Sequence, residues 1–210
     1  MNRQRTVVKF AENQQTKKEL EVLNVASEYF LSHGYKGTSI NAMARDSGIS
    51  KESIYRYFSS KKELFEAVVA KELAEYKERL QFTDFEYESL SLGNALKRTA
   101  ETITKAVGSD RTLSLRRLIF QETIQSPDIG KYYYEIGPQV AYRRLVKIFA
   151  AHKDETDFDP ENLAHYFVAM TLHKTMLQRE CGVTKPLTKK QIANHATEVT
   201  DNFIKAFFRN

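Results

Sequence analysis

A chain of 210 residues, 41% hydrophobic and 28% charged, can bury one core of ordinary size or a small domain beside a larger one. No run of 18 apolar residues is present, which argues against a membrane span, and the single cysteine, Cys181, excludes an internal disulfide. The formal net charge is +5. Residues 1–62 hold eleven Lys and Arg against six Asp and Glu, and the remainder holds 21 of each, so the excess lies wholly at one end. Basic charge confined to one segment is the footprint of a polyanion partner, and its plain alternative is a solvated basic surface.

Residues 1–15 carry Arg3, Arg5 and Lys9 without helical spacing. They read as a loose arm, either a tail or a reach into a minor groove. No long apolar stretch follows these basic residues, so no secretory signal is expected and a cytoplasmic protein is the default. Thr16-x-x-Glu19 is a capping box that opens a helix to about His33. Leu20, Leu23, Ala26 and Phe30 form its expected buried stripe, and Gly34 ends it. A second helix starts at Thr38 or Ser39, with Ile40, Met43 and Ala44 on one face. Gly48 stops it, since glycine enters the left-handed region without a Cβ clash. Ser50 is a good N-cap for a third helix, in which Ile54 and Phe58 face inward. Lys51, Glu52, Ser53, Tyr55, Arg56 and Tyr57 then face outward. Such a corner, with a basic and tyrosine-rich second member, is what a helix-turn-helix needs to enter a major groove.

Ser60-x-x-Glu63 is a second capping box, and Leu64, Phe65, Val68, Val69, Leu73, Tyr76 and Leu80 continue at helical spacing. Residues 81–92 read as a loop. Helices follow at 93–107, with Leu96, Ala100, Ile103 and Val107, and at 111–125, with Leu115, Leu118 and Ile119. Pro127 and Pro138 each open a further helical segment, where proline is tolerated. Residues 153–160 form an acidic loop, and two long helices follow at 161–181 and, capped by Thr188, at 189–208. No segment alternates apolar and polar residues as a half-buried strand does, so the expected fold is all-α. The expected division is a helix-turn-helix domain over 1–62 and a larger helical body over 63–210.

The string Gly34-Tyr35-x-Gly37-Thr38-Ser39-Ile40, then Ala44, Gly48-Ile49-Ser50-Lys51, Tyr55-Arg56-Tyr57-Phe58-x-x-Lys61 and Leu64-Phe65 resembles the DNA-binding domain of the TetR family of transcriptional repressors. The match spans about residues 17–66. Gln121-Glu122, Ser126-Pro127, Tyr133 and Gly137-Pro138 are similar to the AefR-like C-terminal domain. The resemblance implies an all-helical homodimer on a palindromic operator, with a helix-turn-helix head and a helical body. It also implies that a small-molecule effector in the body releases the DNA.

The candidate DNA-binding set is Thr38, Ser39, Ser50, Lys51, Glu52, Ser53, Tyr55, Arg56, Tyr57 and Lys61. Lys51 and Ser53 stand in the first turn of the third helix, the end that meets base edges. Lys51 donates either to guanine O6/N7 or to a phosphate. Glu52 either accepts from cytosine N4 or favours the helix dipole. Arg56 reaches a base or a phosphate. By the resemblance, Tyr55, Tyr57, Lys61 and Thr38 contact phosphates, the last two helped by helix N-termini. The other reading of the tyrosines is packing on the head's own core.

In the body, Phe120, Tyr132, Tyr133, Tyr142, Phe149, Tyr166, Phe167, Met170 and His173 form either an aromatic effector pocket or plain core. His165 and His173 lie eight apart, which is not metal-pair spacing, so no metal and no cofactor is expected. Ala169, Leu172, Met176, Val199, Phe203 and Phe207 are the expected dimer surface. Activation of transcription, or control by a protein partner, fits the same sequence. A helical enzyme is the remote alternative: His, Glu and Tyr are available in the body for a scattered catalytic set, but there is no nucleophile elbow, P-loop, Rossmann glycine pattern, paired-His metal motif or CxxC motif. The helix from Lys61 is the expected link through which a ligand in the body could swing the head.

Overall fold

The corner begins with two serine caps. Ser39 Oγ accepts from the Ala42 N–H at 3.4 Å, and Ser50 Oγ accepts from the Ser53 N–H at 3.1 Å. Each fills one of the orphan donors at a helix start. Between them Gly48 takes φ 73°, the left-handed cap that ends one helix and turns into the next. These caps bound α2 (Ile40–Ser47) and α3 (Lys51–Tyr57), which follow α1 (Lys17–Gly37) and precede α4 (Lys61–Arg79). The computed structural model describes residues 17–79 and 90–209, and the expected arm at 1–15, the Thr16 cap, Leu80 and most of the 81–92 loop lie outside them.

Among the described residues the regular structure is helical throughout, as the sequence led us to expect. The later elements are α5 (Leu92–Gly108), α6 (Asp110–Thr123), α7 (Pro127–Ile136), α8 (Pro138–Ala151), α9 (Pro160–Glu180) and α10 (Lys189–Phe207). The acidic stretch before α9 is not all loop. It holds a 3-10 turn, Lys153–Glu155, and Asp159 caps α9 by accepting from the Glu161 and Asn162 N–H groups. Thr188 and Gln191 form a complete capping box on α10.

The chain divides into two compact units: residues to Glu78 with Ser114–Tyr133, and Arg79–Leu113 with Tyr134 onward. In the first, Phe30 meets Phe65 edge-on at 5.2 Å, so α4 packs on α1 rather than standing apart. The contacts therefore group α4 with the helices before it, whereas the division expected at residue 62 was drawn by function. The buried side of α1 is Val22, Leu23, Ala26, Ser27 and Phe30. Leu20, expected there, is 41% exposed. At 3.6 residues per turn it points roughly 90° from the middle of that stripe.

The second unit holds an aromatic core. Phe149, Phe167 and Phe203 are fully buried, with Leu96, Leu145, Leu163, Ala196 and Val199 around them. Phe203 lies 5.0 Å from Phe167 and 5.5 Å from Phe149, ring centre to ring centre. Burial of each such ring stabilises the unit by about 1.5–3 kcal/mol. This corrects the expectation for Val199 and Phe203 as dimer surface, because their side chains are used inside their own unit. No helix among the described residues is long and apolar enough to cross a membrane.

Candidate nucleic-acid interface

The outward side of α3 follows from its inward side. Ile54 and Phe58 are at most 1% exposed, and their i, i+4 spacing fixes which residues must face solvent. Lys51, Glu52, Tyr55 and Arg56 are exposed, and Ser53 and Tyr57 are half-buried. The Lys51 ammonium lies 5.8 Å from the centre of the Tyr55 ring, and the Arg56 guanidinium lies 5.0 Å from that of Tyr57. Each cation therefore rests over a phenol one turn or one residue away, at a distance where the ring quadrupole attracts it. The face so formed offers two cations, two phenol hydroxyls and one carboxylate.

Ser39 and Ser50 are exposed, but as caps their oxygens already accept backbone N–H groups. Glu52 sits in the first turn of α3, where its charge favours the helix dipole. Lys61 is the first residue of α4, half-buried, with its ammonium 4.7 Å from the centre of the Tyr35 ring. At the start of α4, Glu63 accepts from the Ser59 N–H at 2.8 Å while its own N–H donates to Ser60 Oγ at 3.1 Å. The reciprocal cap thus reaches back to Ser59, one residue beyond the expected box.

Thr38 requires a correction. It is 3% exposed, and its hydroxyl faces the carbonyls of Gly34 (2.8 Å) and Tyr29 (3.2 Å). A hydroxyl whose proton is used inside the head is a joint between α1 and α2, not an outward donor. The fold also brings together residues that sequence reading missed. The Tyr29 hydroxyl donates to Asp46, on which Arg45 also donates at 2.9 Å. His33 stacks on Tyr29 at 5.4 Å. No local signal marks a bond across 17 residues.

The aromatic candidates fall in both units. Phe120 and Tyr133 belong to the first unit, with rings 6.0 Å apart and edge-on, and Tyr76 lies 5.9 Å from Tyr133. Phe120 is 53% exposed and Tyr133 is buried. In the second unit Phe149 and Phe167 are core, while Tyr142 packs against His165 at 4.5 Å. Burial pushes the Tyr142 hydroxyl pKa up, with the neighbouring Tyr134 adding to it. Tyr166, Met170 and His173 are exposed on α9, Tyr166 stacked on Phe207 at 5.5 Å. Among the described residues no three His, Cys, Asp or Glu side chains cluster as metal ligands.

Comparison with known proteins bears on both parts of the chain. Residues 22–68 match the family described as bacterial regulatory proteins, tetR family, and residues 94–208 match the AefR-like transcriptional repressor C-terminal domain. A Mycobacterium tuberculosis protein named as a mycofactocin biosynthesis transcriptional regulator, MftR, is 25% identical over 154 residues, 72% of this chain and 74% of its own. Of solved structures, the flavonoid-responsive regulator FrrA has a TM-score of 0.67 and 25% identity, covering 92% of this chain and 98% of its own. A TetR transcriptional regulator from Agrobacterium tumefaciens has a TM-score of 0.72 and 19% identity, covering 93% and 96%, and so shares the fold.

Proposed function

The chain belongs to the TetR family of bacterial regulatory proteins, and from that premise we propose that it is a dimeric repressor that a small molecule releases from a palindromic operator. The observation that carries the DNA-binding part is the exposed row Lys51, Glu52, Tyr55 and Arg56, held outward by the burial of Ile54 and Phe58. In this reading Lys51 and Arg56 read base edges, and Tyr55, Tyr57 and Lys61 hold phosphates. Phosphate contacts fix register without carrying sequence information directly, and base contacts supply the preference.

The second copy is proposed to seat on the outward face of α9, where His165, Tyr166, Ala169, Met170 and His173 are exposed. A symmetric pair then presents two copies of α3 to two half-sites. The effector is proposed to be apolar or aromatic. Support comes from the exposed Phe120 ring beside Tyr133 and from the response of FrrA to flavonoids. An effector that favours the DNA-free state 100-fold shifts the balance by about 2.7 kcal/mol. The setting of this function is the cytoplasm.

The test is selection of bound sites from random duplex DNA with the purified protein, followed by the salt dependence of the best site. An enriched palindrome with a log–log slope of about −0.9 per neutralised phosphate is the expected result. Weak, uniform binding without enrichment would refute sequence-specific reading. A panel of flavonoids and other planar phenols added to the complex then tests release, and unchanged affinity across the panel would remove the aromatic-effector part.

A further inference from the structure

Lys61 is the first residue of α4, so a phosphate bound there meets both its ammonium and the free N–H groups of a helix start. A lysine is a long, flexible side chain, and holding it in one place costs rotamer entropy. The fold supplies a holder. Gly34, at φ 70° and ψ 175°, breaks α1 and turns the following residue, Tyr35, onto the core. The Tyr35 ring packs nearly parallel to Phe30 at 6.1 Å and edge-on to Phe65 at 4.9 Å, ring centre to ring centre. Both phenylalanines are buried, so the ring is fixed from two sides. The Lys61 ammonium lies over this ring, 4.7 Å from its centre, against 5.8 Å for Lys51 over Tyr55 and 5.0 Å for Arg56 over Tyr57.

The electrostatics favour the same arrangement. Burial, and then the carboxylates of Glu122 and Glu66, raise the Tyr35 hydroxyl pKa, so the phenol stays protonated at neutral pH and the ring keeps an uncharged, electron-rich face. We infer that Tyr35 is a positioning residue: its ring holds the Lys61 ammonium at the start of α4, ready for a DNA phosphate. The inference rests on the DNA-binding reading proposed above. A tyrosine that only filled the core would act on binding independently of Lys61. A tyrosine that positions Lys61 loses its effect when the lysine is gone.

A double-mutant cycle separates the two. Affinity of the full-length chain for the duplex that the wild type enriches from a random pool is measured over a salt series. Lys61→Ala is expected to weaken binding and to make the salt slope shallower by about one unit. Tyr35→Leu is expected to weaken binding by about two- to five-fold in the wild type, and not in the Lys61→Ala background. Tyr35→Phe keeps the ring and is expected to retain the coupling to Lys61. Equal losses from Tyr35→Leu in both backgrounds, with Lys61→Ala still weakening binding, would overturn the inference and leave the DNA reading standing. A wild type that enriches no duplex would refute the DNA reading and the inference with it, whereas a Lys61→Ala variant that binds with unchanged affinity and slope would overturn the inference alone. One measurement needs no variant. The Lys61 Cε protons of the free wild type should show an upfield ring-current shift in the NMR spectrum, and ordinary lysine values would overturn the holder.

Discussion

The Tyr29 hydroxyl donates to Asp46 Oδ2 at 2.7 Å, bridging α1 and the last turn of α2 across 17 residues. This bond, and then the one from Arg45, holds the Asp46 carboxyl below the usual carboxylate range. The same bond, ahead of burial and the Asp46 charge, raises the Tyr29 hydroxyl. A depressed carboxyl contributes stability that is present above its unfolded pKa and is lost as pH falls through its folded pKa. A raised phenol contributes stability that is present below its unfolded pKa and is lost as pH rises through its folded pKa. The clamp is therefore intact at neutral pH and fails in acid on one partner and in strong base on the other. Tyr29→Phe should move the Asp46 titration upward, measured by carboxyl-carbon NMR shifts, and an unmoved titration would sink the clamp.

Gly48 turns the corner between α2 and α3 with φ 73°, and a Cβ there would meet nothing within 4 Å. Space is thus no obstacle, and the backbone alone sets the cost. Gly48→Ala should destabilise the head by about 1–2 kcal/mol, and Gly48→Asn by less, since asparagine tolerates the left-handed region. Urea denaturation midpoints of the two variants check this. Equal loss for both would point to a contact rather than a dihedral.

Lys51 and Tyr55 share one exposed face, yet the proposed roles give different readouts. Lys51→Ala should relax the preference at one position of the half-site, by about 1–3 kcal/mol of discrimination. Tyr55→Phe removes a hydroxyl proposed for a phosphate, and should weaken every duplex by a similar factor. Comparing both variants on a panel of single-base changes decides it. The same relative loss on every duplex for Lys51→Ala would assign that lysine to the backbone.

Phe203 lies at the centre of the second unit's aromatic core and is fully buried. Phe203→Ala should cost about 3–5 kcal/mol, from lost transfer energy and the cavity left among Phe149, Phe167 and Phe208. Ile204 packs against the same core and is partly exposed, so Ile204→Val should cost about 1 kcal/mol or less. Thermal melts of the two variants give the comparison, and a small effect at Phe203 would place it at a surface after all.

Local features were legible without coordinates. Ser39, Ser50, Gly48 and Thr188 announce helix ends because a cap or a left-handed turn is satisfied within four residues. Ile54 and Phe58 fixed the outward face of α3 for the same reason of short range. Leu20 shows where spacing is a weak guide: three residues are less than a full turn, so a stripe extended by one member drifts off the core. Thr38, Tyr29 and Tyr35 were beyond reach because their partners lie on other helices or across a glycine break. Among aromatics the sequence pattern is silent on depth. Phe120 and Phe167 look alike in spacing, but one is exposed and the other is core.

The length of α3 has a consequence of its own. Seven residues make an axis about 10 Å long, or two turns. Base pairs are stacked about 3.4 Å apart, so such a helix spans about three of them. Three positions fully read distinguish about 64 addresses, whereas a genome offers at least about 10⁶ competing ones. A single head would leave on the order of 10⁴ equivalent addresses. Each further head of the same kind divides that number by about 64 again. If α3 reads as proposed, its brevity limits the information one chain can hold, and counting alone says that one head is too few before any question of symmetry arises.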